Sequence, residues 1–321
     1  MDGNPRSPLT AKGGRPGLLD RAWLRLERAL PDRLAVEEQY RRRNGFRPDL
    51  VTPRDLSEKI CWMKLHGMTA LHRQCADKVA VRDYVRDCMG DGLLAREILV
   101  TDDPADLDPE RIPDRRFVAK ANHDSGTILI CRDRDRFDWA AAREKARQGL
   151  ARDFSQRYRE KQYQGIKPRI LVEEFIESDD GGDLEDFKIF CFHGEPVLVQ
   201  VDRDRFVGHR QAFFDPHWRR LPVRRAYPAV EGAVPRPDQL GEMLDAAATL
   251  SRPFPFCRVD LYAAQGRIWF GELTFTPDAG LGRFHPPSFE RQMGDLLDLD
   301  TPMGASRPRH IGAAPARAGA A

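Results

Sequence analysis

The stretch Cys257–Pro277, CRVDLYAAQGRIWFGELTFTP, constrains this chain more than any other. It reads as two strands joined by a tight turn, yet Arg258, Asp260 and Glu272 stand where a buried strand carries apolar side chains. Strand side chains alternate between faces, so Arg258, Asp260 and Tyr262 share one face and Val259, Leu261 and Ala263 take the other. The turn lies in AAQGR, where Gly266 can adopt a left-handed conformation. A connection with an odd number of residues sets Asp260 and Glu272 on the same face, about 5–8 Å apart. Two carboxylates at that distance repel unless a cation lies between them or one is protonated. Mg²⁺ suits the gap, because it takes oxygen ligands and commonly uses one or two carboxylates plus phosphate oxygens. Arg258 on the same face can then meet a phosphate. The following segment, GELTFTPDAG, can offer backbone N–H groups to an anion. Alternating charge is also what a solvated, ion-paired surface carries.

The remainder of the chain changes character along its length. LLDRAWLRLERAL (18–30) repeats apolar residues at helical spacing and is ended by Pro31. Further helices are expected over Arg33–Arg43, over SEKICWMKLHG (57–67) with Ser57 as N-cap, and over Asp77–Cys88. From there AREILV, RRFVAK, TILICR, RILVEEF, DFKIFCF and PVLVQVD form short β-rich runs between polar turns. Helices over Trp139–Ala151 and Asp238–Leu250 interrupt them. The order predicts an α+β chain with a helical front end at 18–76 and a strand-rich body at 77–299. Residues 1–17 and 300–321, rich in Gly, Pro, Ala and Arg, are expected to be disordered tails.

Composition narrows the function. Among 321 residues, 52 Lys and Arg face 50 Asp and Glu, a formal charge of +2 that argues against nucleic-acid binding through a broad basic surface. The six cysteines stand singly, without a CxxC pair, and fit reduced thiols rather than a disulfide frame or a zinc site. No apolar run reaches the roughly 20 residues that span a bilayer. The N-terminus has no apolar core for a signal peptide. A soluble cytoplasmic protein is the expectation.

Three further segments face the same way. FVAKANHDSGTILI (117–130) sets Lys120 at the end of a strand before a polar loop, Asn122–Thr127, and a second strand. There is no GxxxxGK[ST] and no helix after the loop, so this is no Walker A motif. The strand–loop–strand can instead fold over phosphates. ILVEEFI (170–176) leads from a buried strand into the polar segment SDDGGDLED, where backbone groups can meet a purine edge and Glu173 an exocyclic amine. DFKIF (186–190) puts Asp186 and Lys188 on one face, which suits a ribose hydroxyl beside a phosphate and equally an ordinary ion pair.

As an ordered set, Asp77-Lys78 opening a helix, the strand lysine Lys120, EEFI and RVD…GELTFTP resemble the ATP-grasp proteins, such as D-alanine–D-alanine ligases. SEKICWMKL, ADKVAVRDYV, FVAKANHDSG, DFKIFCFHG, QVDRDRF, RVDLY and FGELTFTP resemble more closely the TupA-like ATP-grasp family, linked to teichuronopeptide and other cell-surface polysaccharide synthesis. The likeness runs over about residues 30–298. It implies an ATP-grasp fold, two lobes with antiparallel sheets (77–170 and 171–299) that sandwich ATP. It implies that Lys78 and Lys120 contact the α- and β-phosphates, under the small-residue loop with Ser125 and Gly126. Glu173, Glu174 and Ile176 would hold adenine and Asp186 the ribose, with Lys188 and Arg258 near the transferred phosphate. Asp260 and Glu272 would bind Mg²⁺. Many ATP-grasp enzymes carry Asn where this chain has Thr274, a hydroxyl that can still ligate a metal.

The resemblance implies a ligase that activates a carboxylate, on a small molecule, glycan or peptide, as an acyl-phosphate for attack by an amine. The acceptor pocket is expected along QVDRDRFVGHR (200–210) and the loop Pro277–Arg283, with Arg205, His209 and Arg210 binding a substrate carboxylate. Three other readings stand beside it: a phosphotransferase on the same site with Asp202 or His209 as base, a glycosyltransferase using the DxD triplets at 133–135 and 202–204, and a non-catalytic binding module.

Overall fold

The computed structural model describes residues 27, 29–182, 184–203 and 208–300. The expected tails apart from Asp300, nearly all of the helix expected over 18–30, and Arg205 lie outside the described residues.

Four helices open the described chain: α1 (Asp32–Asn44), α2 (Leu56–His66), α3 (Ala70–Ala76) and α4 (Val81–Met89). α1 stops where Gly45 turns left-handed, with φ 84°. α2 begins before Ser57, the expected cap. Asp55 holds the N-cap position, and its N–H donates to the Glu58 carboxylate at 3.1 Å. Ser57 lies inside the helix and gives its N–H to Glu290 at 2.7 Å. α4 begins later than Asp77 because that side chain accepts from the N–H groups of Val79 and Ala80, at 2.8 and 3.3 Å, and so holds Lys78 in a turn.

Two antiparallel sheets follow. The first, in the order β1-β4-β2-β3, comprises β1 (Glu97–Thr101), β2 (Phe117–Ala121), β3 (Ile128–Cys131) and β4 (Ile170–Glu174), with α5 (Trp139–Leu150) and the short α6 (Ser155–Tyr158) between β3 and β4. Phe117, Ala119, Ala121, Ile170 and Val172 are buried together with Ala146 of α5. The alternate residues Val118, Lys120 and Glu173 therefore face the other way. The lobe boundary expected at residue 170 falls on the first residue of β4, a strand of this first sheet.

The second sheet runs β7-β6-β5-β8-β9, from β5 (Asp186–Phe192), β6 (Glu195–Arg203), β7 (Arg210–Phe214), β8 (Phe256–Ala264) and β9 (Arg267–Thr274). Its odd-numbered positions on β5 and β8, among them Phe187, Ile189, Val259 and Leu261, pack with α7 (Leu240–Ser251) and with Val81 and Val85 of α4. Phe190, Phe192 and Phe256 pack instead against α2 and α8 (Pro287–Leu296). These two apolar layers hold the sheet rigidly while its other positions carry charge.

Candidate active site

The charges of the second sheet sit in cross-strand rows. Lys188 of β5 stands between Asp260 of β8 and Gln200 of β6, and Asp260 stands opposite Glu272 of β9. The neighbouring row is Tyr262, Asp186, Asp202 and Gln211. Directly opposed residues share a face, so one polar surface runs across all five strands.

How Glu272 reaches that surface is specific to this hairpin. The tip is a two-residue turn, Gln265 and Gly266 with φ 59° and 70°, which pairs Ala264 with Arg267. An unbroken ladder from that tip would turn Glu272 to the apolar face, with Val259. A bulge between Asp260 and Leu261 skips Gly271 and restores the odd count. Gly271 is held there by space: a Cβ would come within 2.9 Å of the Asp260 carbonyl oxygen and 3.1 Å of Tyr262.

The charges neutralise one another closely. Arg258 donates from Nε and Nη2 to both oxygens of Asp260, at 2.7 and 2.6 Å, and from Nη2 to Thr274 Oγ1 at 3.1 Å. Glu272 Oε1 lies 3.6 Å from Arg258 and accepts from the Thr274 hydroxyl at 3.1 Å. Lys188 is paired closely with Asp186, and its Nζ lies 3.3 Å from Asp202 and 3.7 Å from Asp260. Burial works against the lysine's charge, but the three carboxylates hold its pKa above the ordinary value. Burial raises the Asp260 carboxyl to about 7, with Arg258 and Lys188 pulling the other way. Glu272 meets the same burial, yet Lys78, Arg258 and Lys188 bring it down to about 2.

Across the cavity, the first sheet brings the other predicted lysines. Lys120 Nζ donates to Glu173 Oε2 at 2.8 Å, and Lys78 Nζ to the Asp124 carbonyl at 2.5 Å. The Asn122–Thr127 loop is braced from within: Asp124 accepts from the N–H and hydroxyl of Thr127 at 3.2 and 2.5 Å. Asn122 ties it to the Lys78 turn, donating to Asp77 at 2.8 Å. Lys78, Lys120, Ser125, Gly126, Asp186, Lys188, His209, Arg258, Asp260, Glu272 and Thr274 all line one cavity of about 340 Å³. Glu173, Glu174 and Ile176 line an adjoining, mainly apolar pocket of about 130 Å³ with Val118, Phe175 and Phe270. Lys120 lines both.

A family model described as TupA-like ATPgrasp matches residues 58–298. The chain belongs to the TupA-like ATP-grasp family. The mixed architecture, with its two antiparallel sheets, is the ATP-grasp fold. No curated protein matches the sequence. Among solved structures, the chain is similar to the D-alanine–D-alanine ligase of Bacillus anthracis, at 16% identity over 68% of this chain and 58% of that one, with a TM-score of 0.38. It is also similar to the ATP-grasp ligase PsnB in complex with a phosphomimetic variant of its minimal precursor, Mg and ADP (12%, 68% and 58%, 0.38). A third likeness is to the phosphoribosylamine–glycine ligase of Thermotoga maritima (16%, 64% and 48%, 0.39). The chain thus spans about half to three-fifths of the length of these ligases, and the family match rather than these likenesses decides the fold.

This ATP-grasp chain places one expected acceptor residue elsewhere. Arg210 is the first residue of β7 and pairs with the exposed Glu231 at 2.9 Å; it does not line the cavity. His209 does line it, but its Nε2 lies 3.3 Å from Asp202 Oδ1 and its ring stacks on Tyr227 at 3.7 Å. Of the loop expected from Pro277 to Arg283, Pro277, Asp278 and Ala279 reach the cavity. Beside them stands Glu160, nearly buried and accepting closely from the Thr276 hydroxyl at 2.5 Å. Burial raises its carboxyl, against the pull of Lys64. Sequence reasoning missed Glu160, Asp124 and Tyr227 at this cavity, because each stands in a loop that periodicity alone does not aim. Of the DxD triplets, Asp133 and Asp135 belong to a surface turn that Asp133 caps itself, and Asp204 lies outside the described residues.

Proposed function

We propose that this chain is an ATP- and Mg²⁺-dependent ligase that activates a carboxylate as an acyl-phosphate for attack by an amine, releasing ADP and phosphate. The observation that carries the reading is the convergence of four cations and two cross-strand carboxylates on one cavity. The reaction class needs no side-chain nucleophile; it needs a carboxylate oxygen in line with the terminal phosphorus and a field for the charge spread over the phosphoryl oxygens.

In this reading Lys78 and Lys120 hold the α- and β-phosphates, with Ser125 and Gly126 in the covering loop. Adenine lies in the apolar pocket by Glu173, Glu174 and Ile176, and Asp186 meets the ribose. Lys188 and Arg258, each already fixed by carboxylates, stand at the phosphoryl group. Asp260, Glu272 and Thr274 fit a hard divalent ion by their chemistry, three oxygen donors on adjoining strands with no soft ligand. Among the described residues no group of three or more His, Cys, Asp or Glu is arranged to hold a metal alone. That suits an ion whose remaining ligands come from nucleotide and water. When bound, Mg²⁺ supplies charge neutralisation along the phosphates.

Family membership supports a role in assembling a cell-surface polymer from cytoplasmic ATP. The acceptor would be a small molecule, glycan or peptide bearing the carboxylate. His209 and Arg205 remain candidates for the acceptor, while the position of Arg210 disfavours it. Among the described residues no helix is long and apolar enough to cross a membrane.

The test is ATP-dependent release of ADP and inorganic phosphate by the purified protein, screened against amino acids and uronic acids. Asp260→Asn and Glu272→Gln should each reduce turnover at least a hundredfold; equal turnover in both would sink the assignment. A phosphotransferase is the second reading, favoured by the 3.3 Å approach of His209 to the buried Asp202, an imidazole–carboxylate pair suited to deprotonating a hydroxyl. Phosphate recovered on the acceptor rather than free would decide for it.

A further inference from the structure

Arg82 is a buried cation to which neither the sequence motifs nor the ligase reading gives a role. It projects from the first turn of α4, just beyond Lys78, and reaches the first sheet. Its Nη1 donates to Glu173 Oε1 at 2.6 Å and its Nη2 to the Ala95 carbonyl at 2.7 Å, while Nε lies 3.4 Å from Glu97. The other oxygen of Glu173 accepts from Lys120 at 2.8 Å. One carboxylate with 11% of its side chain exposed is therefore shared between Arg82, at 8%, and Lys120, at 23%.

The asymmetry of the two cations matters. Lys120 has a flexible stem and lines both the apolar pocket and the main cavity, so it can swing to a phosphate. Arg82 is fixed by a second bond to backbone and lines neither. A phosphate that draws Lys120 away must break its bond to Glu173. Were Lys120 the sole partner, that would strand a nearly buried carboxylate, a costly state. With Arg82 in place the carboxylate stays neutralised.

We infer that Arg82 is a positioning residue for the nucleotide: it holds Glu173 as a standing counter-ion so that Lys120 is free to move onto the phosphates. This rests on the ATP-site reading. Its signature is selective. Loss of Arg82 leaves Glu173 and Lys120 bound to each other alone, which weakens binding of phosphate-bearing nucleotides and spares the nucleoside. A purely structural role would weaken both alike.

Calorimetric titration of the full chain with MgADP and with adenosine reads this out as the ratio of the two dissociation constants. Arg82→Gln should lower the preference for MgADP at least tenfold, and Arg82→Lys, which keeps the charge, should restore most of it. On a Glu173→Gln background, adding Arg82→Gln should leave the preference within about threefold, since the carboxylate through which Arg82 acts is gone. That comparison also serves if Arg82→Gln alone fails to fold. A preference unchanged in Arg82→Gln, or lowered as much with Glu173→Gln as without it, overturns the inference and leaves the ATP site standing. Failure of the unsubstituted protein to bind MgADP overturns both.

Discussion

Lys64 shows how this chain uses a single charge in its interior. The side chain is fully buried on α2, and its ammonium donates to the Tyr158 and Ala279 carbonyls at 2.9 and 2.7 Å. Ala279 belongs to a run of left-handed residues, Asp278, Ala279 and Gly280 with φ 51°, 56° and 75°. Such a run costs free energy at each non-glycine residue and persists only where its surroundings fix it. Lys64→Met would keep the volume and leave two carbonyls unpaired, so a loss of about 3 kcal/mol is expected from the denaturant midpoint. His72 is the other buried titratable group of note, packed edge-on to Phe254 and Phe275 with ring centroids 5.0 and 4.6 Å apart. Its Nδ1 lies 2.9 Å from the Thr69 hydroxyl, and burial lowers its pKa from 6.5 to about 4. The unfolded chain binds this proton more tightly, so the neutral ring stabilises the fold fully above pH 6.5 and that contribution is lost as pH falls toward 4. The expected loss is roughly 3 kcal/mol, seen as a falling Tm across that window and flattened in His72→Asn. At this scale the charged strand residues were legible, because Lys120, Lys188, Arg258, Asp260 and Glu272 break an apolar pattern. Lys64 and His72 were not, since a helix gives no sign of which polar residue it will bury.

The hairpin of β8 and β9 shows what was legible in an element and what was not. Its strands, its turn and the shared face of Asp260 and Glu272 follow from alternation. Alternation requires an odd connection, but does not say where the odd residue sits. The structure puts it at Gly271 rather than in the tip. Gly271→Ala should therefore cost about 1–3 kcal/mol, the usual range for overpacking, measured by urea denaturation. Turnover should fall with it, since a relaxed bulge swings Glu272 off the charged face. β7 escaped sequence reading because the residues after the β-rich run PVLVQVD read as one basic loop, whereas β6 extends through Arg203 and Arg210 already begins the next strand. That reading set Arg210 at the cavity, whereas the structure sets it in a surface ion pair with Glu231.

For the molecule as a whole, the two sheets meet only part of the demand that a nucleotide would make. The first offers Lys78, Lys120 and the apolar pocket, the second the carboxylates with Lys188 and Arg258. A ligand that contacts both sheets stabilises the native state by mass action, about 2.7 kcal/mol at a hundred times its dissociation constant. MgADP should raise Tm accordingly, and chelating the metal with EDTA should remove most of the gain in the unsubstituted protein while changing little in Asp260→Asn/Glu272→Gln. The α+β order and four of the five strands of the second sheet were readable from the chain; how α4 ties to the first sheet through Arg82 was not, because that tie joins residues distant in sequence.

The placement of the odd residue in the hairpin also bears on how the chain can change length. Related sequences that lengthen or shorten this ribbon between the two acids should do so in steps of two, or else gain a compensating irregularity. A single inserted residue near Gln265 would leave every later side chain intact in kind and reversed in direction, with Leu273 toward the charges and Glu272 in the oil.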